Sequence, residues 1–190
     1  MKFAPAFPTL LALAAAFACA PAIAQTSTET SGQAKTAHHD TEFLKEANQG
    51  SVDEIDLAHL ALKKSDNPDV KSFAQRMIDD HTKLLNDMKP FDMEAGLTVP
   101  DHDDAATDAQ KAKLDVLSGK SFDKAYMKDM VDDHHKDLEA FIAEEKYTEY
   151  PAFKTAVEQG EQVVRDHLQL ADQIAKKDGV TPEPVPAAGM

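Results

Sequence analysis

Three histidines stand where the surrounding pattern calls for apolar side chains. Met77, His81, Leu84 and Met88 recur at steps of four, three and four residues. Met130, His134, Leu138 and Phe141 form a second such series, and Gly160, Val164, His167 and Ala171 a third. Steps of three and four place residues on one face of a helix. Glu54 interrupts a fourth series, Ala47, Gly50, Glu54, Leu57 and Ala61. Each of four helices therefore contributes one polar side chain to its inward face.

An ionised glutamate among apolar side chains is costly unless something compensates its charge. A protonated histidine, a hydrogen-bonded network or a divalent metal would each do so. Three imidazoles and a carboxylate suit zinc, iron, manganese or copper by ligand type. Met77 and Met130 lie one turn before His81 and His134. Their sulfurs would favour copper if they reached the site, although methionine in a core is usually filler. Asp80, Asp133 and Asp166 each precede a histidine and so point about 100° away from it. They are placed to orient ring nitrogens on neighbouring helices, or, more simply, to pair with Arg76, Arg165 or lysines at the edge of the stripe. His59, His102 and His135 fall off the stripe or in a loop and receive no role. His38-His39-Asp40 could bind a stray metal ion, but reads more simply as a solvated lead-in to the first helix with Asp40 or Thr41 as its cap.

The elements that position these residues follow from periodicity and punctuation. Helix 1 is expected from about Thr41 to Lys64. Asn67 caps helix 2, with Pro68 at its first position and Asp69 facing the positive end. That helix ends before Gly96, with Pro90 expected to kink or fray its last turn. A short helical segment is expected near Thr107 to Leu117. Helix 3 follows from about Ser121, and helix 4 from Pro151 until Gly179 stops it. No stretch alternates with period two, so the chain is all-α. Two matched hairpins joined by a long connection suit a ferritin-like four-helix bundle with a short helix between helices 2 and 3; a plain up-down bundle with a decorated loop is the alternative. Met77 to Lys83 echoes Met130 to Lys136, with Arg165-Asp166-His167 a shorter third instance.

Depth along the bundle tests whether the four polar residues meet. From the turn near Asp66, Glu54 and His81 differ by three residues, about 4.5 Å of rise. From the turn near Thr148, His134 and His167 differ by about 7.5 Å. On this count Glu54, His81 and His134 form a layer, and His167 falls near it or in an adjacent one.

The chain has 190 residues, with 20 Lys and Arg against 34 Asp and Glu. That length suits one domain. Residues 1–24 read as a signal peptide: Lys2, an apolar run from Leu10 to Ala18, then the small-x-small site Ala22-Ile23-Ala24. Cleavage there removes Cys19, the only cysteine, and leaves no thiol for a disulfide or a metal. Lipid attachment at Cys19 ranks below simple cleavage, because Phe17 stands where a small residue is usual. Residues 25–40 read as a disordered linker, 41–178 as the bundle and 179–190 as a disordered Pro-rich tail. Export to the periplasm is expected, with outer-membrane association or secretion as alternatives. The net charge of −14 moves to −15 once Lys2 is removed, a surface that repels nucleic acid. No transmembrane segment is expected in the mature chain.

From about Thr41 to Lys176 the sequence resembles the DUF4142 family of exported bacterial proteins. The likeness rests on Phe43-Leu44-Lys45-Glu46-Ala47 and Gln49-Gly50 with Glu54. It continues through Asn67 to Ala74, Met77 to His81, Leu117-Ser118-Gly119 before Phe122-Asp123, and Asp133-His134. The resemblance implies a ferritin-like four-helix fold without an assigned activity. The wider ferritin-like class uses two Glu-x-x-His helices for di-iron chemistry. Here Ile78, Val131 and Val164 stand three residues before the histidines, so that chemistry does not carry over. Two readings remain open. One is a metal-binding bundle for metal handling or envelope stress, with Glu54, His81, His134 and His167 as ligands. The other is a non-metal structural or interaction protein whose same four residues form a buried polar network. An oxidoreductase is the weakest third.

Overall fold

The computed structural model describes residues 28–180, with side chains from His38 onward. The expected signal peptide and nearly all of the Pro-rich tail lie outside the described residues. Five helices make up the described chain: α1 (Thr28–Lys64), α2 (Pro68–Ala95), α3 (Ala105–Asp115), α4 (Gly119–Tyr147) and α5 (Pro151–Lys177), with no strand among the described residues. None of these helices is long and apolar enough to cross a membrane.

Helix α1 begins at Thr28 rather than near Thr41, so most of the segment read as linker is helical. No proline stands between Gln25 and Asn67, and Gln33, Ala34, Lys35 and Ala37 are good helix formers. The lead-in is also less solvated than its composition suggests. Asp40 is buried and accepts a hydrogen bond from Thr148 Oγ1 at 3.0 Å, while the His39 ring stacks on Tyr147.

Helix α2 starts as its sequence dictates. Asn67 Oδ1 accepts from the Asp69 amide at 3.0 Å, and Pro68 takes a position whose N–H has no helical partner in any case. Pro90 does not end the helix, which continues to Ala95 and closes on Gly96 at φ 69°. Two contacts hold that last turn: Asn48 Nδ2 donates to Asp92 at 2.8 Å, and the Phe91 ring packs on Phe153. Asp104 caps α3 through the Thr107 amide at 2.7 Å, so the helix starts at Ala105, two residues ahead of the expected start near Thr107.

The ends of the helices define the connectivity. Asp40, early in α1, meets Thr148 just past α4, and Ser65, just past α1, donates to Asp123 early in α4. Lys177 at the end of α5 pairs with Asp69 at the start of α2. Neighbours α1–α2, α1–α4, α2–α5 and α4–α5 are thus all antiparallel, which leaves α2 and α4 parallel and diagonal. The link between them must therefore run the length of the bundle, and it carries α3 against α1 and α4. This is the single long crossover of ferritin-like bundles, not the up-down alternative.

Aromatic packing flanks the centre from both sides. Phe43 meets Phe141 edge-on at 4.9 Å toward one end, and Phe122 stacks on Tyr126 at 5.9 Å toward the other. Gly160 on α5 lets the helix approach closely: a Cβ there would collide with the Phe141 ring and stand 3.2 Å from Leu84 Cδ1.

Candidate metal centre

Between these aromatic layers the bundle buries Glu54, His81, His134 and His167, one from each long helix. Glu54 is 5% exposed, His81 2%, and His134 and His167 are fully enclosed. The Glu54 carboxylate spans two of the rings, with Oε2 2.9 Å from His81 Nε2 and Oε1 3.1 Å from His134 Nδ1. His134 Nε2 lies 3.4 Å from His167 Nδ1. His167 therefore belongs to the same layer, not an adjacent one. The reason lies in the turns. Tyr150 and Pro151 are midway in sequence between His134 and His167, as Asn67 and Pro68 are between Glu54 and His81. Each proline begins a helix, so the fold point of the second hairpin is Pro151 and not Thr148, and both pairs come level.

Each ring has its outer nitrogen engaged by an oxygen. His134 Nδ1 is 2.9 Å from the Met130 carbonyl, which can only accept, so that nitrogen carries the proton. His167 Nε2 donates to Asp80 Oδ2 at 2.8 Å, and Asp80 is held further by Arg76 Nε at 3.1 Å. His81 Nδ1 is 3.3 Å from Ser51 Oγ, whose own proton goes to the Ala47 carbonyl at 2.8 Å, so the serine oxygen accepts. With these tautomers the unprotonated nitrogens are Nε2 of His81, Nε2 of His134 and Nδ1 of His167. The three rings are 5.3 to 6.0 Å apart between centroids. One nitrogen from each lies within 4.8 Å of the others.

The electrostatics favour the metal-ready protonation state. Burial pushes His81 down to about 4 and lowers His134, so both rings are neutral at neutral pH. Burial, then the neighbouring His134 and His81, depress His167 as well. Burial raises the Glu54 carboxyl to about 7 against the opposing pull of His134. Burial also tends to raise Asp80, but the hydrogen bonds from His167 and Arg76 outweigh it and hold that carboxyl below its usual range. Neither Glu54 oxygen nor His81 Nε2 makes a hydrogen bond of acceptable angle, although they are in close contact. Buried atoms in that condition ordinarily cost about 1–3 kcal/mol each.

Two side chains on the rim had no sequence flag. Ser51 lies one turn before Glu54 on a face shared with Ala47, and Asp137 one turn beyond His134. Both line a cavity of about 20 Å³ with Glu54 and His81, room for a single water. Glu54 and Asp137 also line a pocket of about 210 Å³ opening between α1, α3 and α4. The interior thus reaches the surface past these two carboxyl groups. A second grouping, Glu54, His134 and Asp137, is also compact. It draws on the His134 edge already given to Met130, so the three-histidine set is the better one.

The flanking aspartates divide. Asp80 orients a ring. Asp133 instead accepts from Gln110 at 3.3 Å and Lys136 at 3.0 Å, and Asp166 accepts from Gln162 at 2.7 Å with Arg76 nearby at 3.6 Å. His59 and His102 are exposed. The residue set does not fit a di-iron centre, because Ile78, Val131 and Val164 occupy the positions where its carboxylates would stand.

The sequence profile described as "Domain of unknown function (DUF4142)" matches residues 25–174. No curated protein and no solved structure matches the chain.

Proposed function

The chain belongs to the DUF4142 family, and we propose that its interior histidines and Glu54 bind one divalent transition-metal ion. The observation that carries this reading is the tautomer pattern. Outer oxygens hold the protons of three rings, which leaves one unprotonated nitrogen on each of three histidines that lie together. Lone pairs in that arrangement repel unless a cation lies between them. Oxygen partners on the outer nitrogen are the usual way a protein orients metal-bound imidazole.

His81, His134 and His167 supply three donors, and Glu54 the fourth. The three imidazoles form the compact set, and Glu54 Oε2, 2.9 Å from His81 Nε2, would complete a four-donor shell of the kind suited to holding a metal. An imidazole-rich set favours zinc or copper, then iron, over manganese. The charge balances: Glu54 and the adjoining Asp80 together offset a divalent ion. With residues 1–24 as a cleaved leader, the bundle works in the periplasm, in metal handling or protection of the envelope.

Elemental analysis of the mature protein, purified without an affinity tag, tests this. Stoichiometric metal in the wild type, lost in His81→Ala plus His134→Ala, is the expected result. Metal-free protein whose melting ignores added zinc or copper would sink it.

One observation favours the second reading, a buried network without metal. Contacts run unbroken from Ser51 through His81, Glu54, His134 and His167 to Asp80, and a protonated Glu54 could donate to His81. In that case Glu54→Gln would leave metal content unchanged at zero and cost stability through the lost contacts alone.

A further inference from the structure

A second polar group lies on the α1–α4 interface, roughly 15 Å of helix rise from His134 toward the end of α4. Glu144 is fully buried there, and neither of its oxygens makes a hydrogen bond of acceptable angle. His39 Nδ1 lies 2.6 Å from Glu144 Oε2. Its ring is fixed by stacking on Tyr147, centroids 3.8 Å apart. Asp40 Oδ2 accepts from Thr148 Oγ1, while Oδ1 is buried without a hydrogen bond. One atom from each of His39, Asp40 and Glu144 lies within 4.8 Å of the others.

Two carboxyl groups in one buried corner repel unless a proton or a cation stands between them. A protonated His39 would offset only one of them. Lys154, from the adjoining turn, is given to Glu145. Burial first, and then Asp40, push the Glu144 carboxyl up to about 8.

We propose that His39, Asp40 and Glu144 form a second divalent-metal site, with one imidazole nitrogen and two carboxylate oxygens as donors and water completing the shell. The donor set is harder than the interior one and suits zinc or manganese. His39 is 44% exposed on its side chain, so the ion exchanges directly with solvent. A bound ion would tie the early part of α1 to the corner between α4 and α5. None of its residues belongs to the interior centre, so the two sites stand or fall separately.

The test is a zinc titration of the metal-free mature chain, followed by calorimetry. The variants are Glu144→Gln and His39→Ala, each alone and on the His81→Ala plus His134→Ala background. Glu144→Gln is nearly isosteric with the protonated carboxyl of the metal-free chain, and His39 is half-exposed, so far-UV dichroism should match the parent. The expected result is one zinc equivalent remaining on the doubly substituted background, weakened at least tenfold by either further change. In the otherwise native chain each change should remove one equivalent and leave one. Unaltered zinc binding in Glu144→Gln, or no zinc equivalent on the doubly substituted background, would overturn the site.

Discussion

His134 Nε2 faces His167 Nδ1 across 3.4 Å, and each ring's other nitrogen already donates to an oxygen, of Met130 or of Asp80. No proton is left to lie between them. That pairing, with His81 completing the triangle, separates a ligand set from an ordinary buried histidine, which keeps one donor for its neighbour. The first expectation follows directly. Metal should stabilise the folded chain by mass action, about 2.7 kcal/mol at a free concentration of one hundred times Kd. Melting with and without zinc should show the gain in wild type and lose most of it in His81→Ala plus His134→Ala.

Asp80 touches His167 at its outer nitrogen, so it acts by positioning the ring. Asp80→Asn keeps the shape but replaces the charged acceptor. Affinity should fall about 10- to 100-fold with stoichiometry unchanged. Asp166→Asn, which accepts from Gln162 and lies beside Arg76 without reaching a ring, is the control and should leave affinity intact. Equal losses in the two variants would show that only surface charge was being measured.

Much of this arrangement was legible in the chain. Helices carry a strong periodic signal, so Asn67-Pro68 and Pro151 marked starts, and polar residues on apolar stripes singled out Glu54, His81, His134 and His167. What was not legible needs tertiary information. Sequence distance from a guessed turn left His167 between this layer and an adjacent one, because the extended link through Thr148 to Tyr150 moves the fold point. Ser51 and Asp137 carry no signal of their own in the stripe pattern. The His39–Asp40–Glu144 corner joins segments more than a hundred residues apart, and nothing local to either segment announces the other.

Protonation of the two buried glutamates gives a pH signature. In the metal-free folded chain Glu54 is raised from 4.5 to about 7 and Glu144 from 4.5 to about 8. Folded carboxyls with raised values hold protons the unfolded chain has released, so stability falls as pH rises through those windows. His81 works oppositely: lowered from 6.5 to about 4, it adds stability as pH rises between those values and is spent above 6.5. Between pH 6.5 and 8 the slope is set by these glutamates together with Asp137, whose carboxyl burial and then the nearby Glu54 push well above its usual value. Urea midpoints of metal-free wild type should decline across that range, and Glu54→Gln plus Glu144→Gln should flatten the decline. An identical slope in both chains would contradict the assignment.

Gly160 sits against Phe141 and Leu84, which also wall the small cavity beside Glu54. Gly160→Ala gains helix propensity but forces the Phe141 ring to move. Overpacking of this kind costs about 1–3 kcal/mol, so the net effect should be a lower melting temperature. A higher one would mean the ring yields freely and the close approach of α5 is not needed.

X-ray absorption at the zinc edge tests the central claim most directly. The sample is the mature chain carrying Glu144→Gln, loaded with one equivalent of zinc and dialysed. The account predicts retained zinc with three imidazole nitrogens and one carboxylate oxygen at about 2.0–2.1 Å. Zinc lost on dialysis, or a shell of oxygens without imidazole scattering, would contradict it.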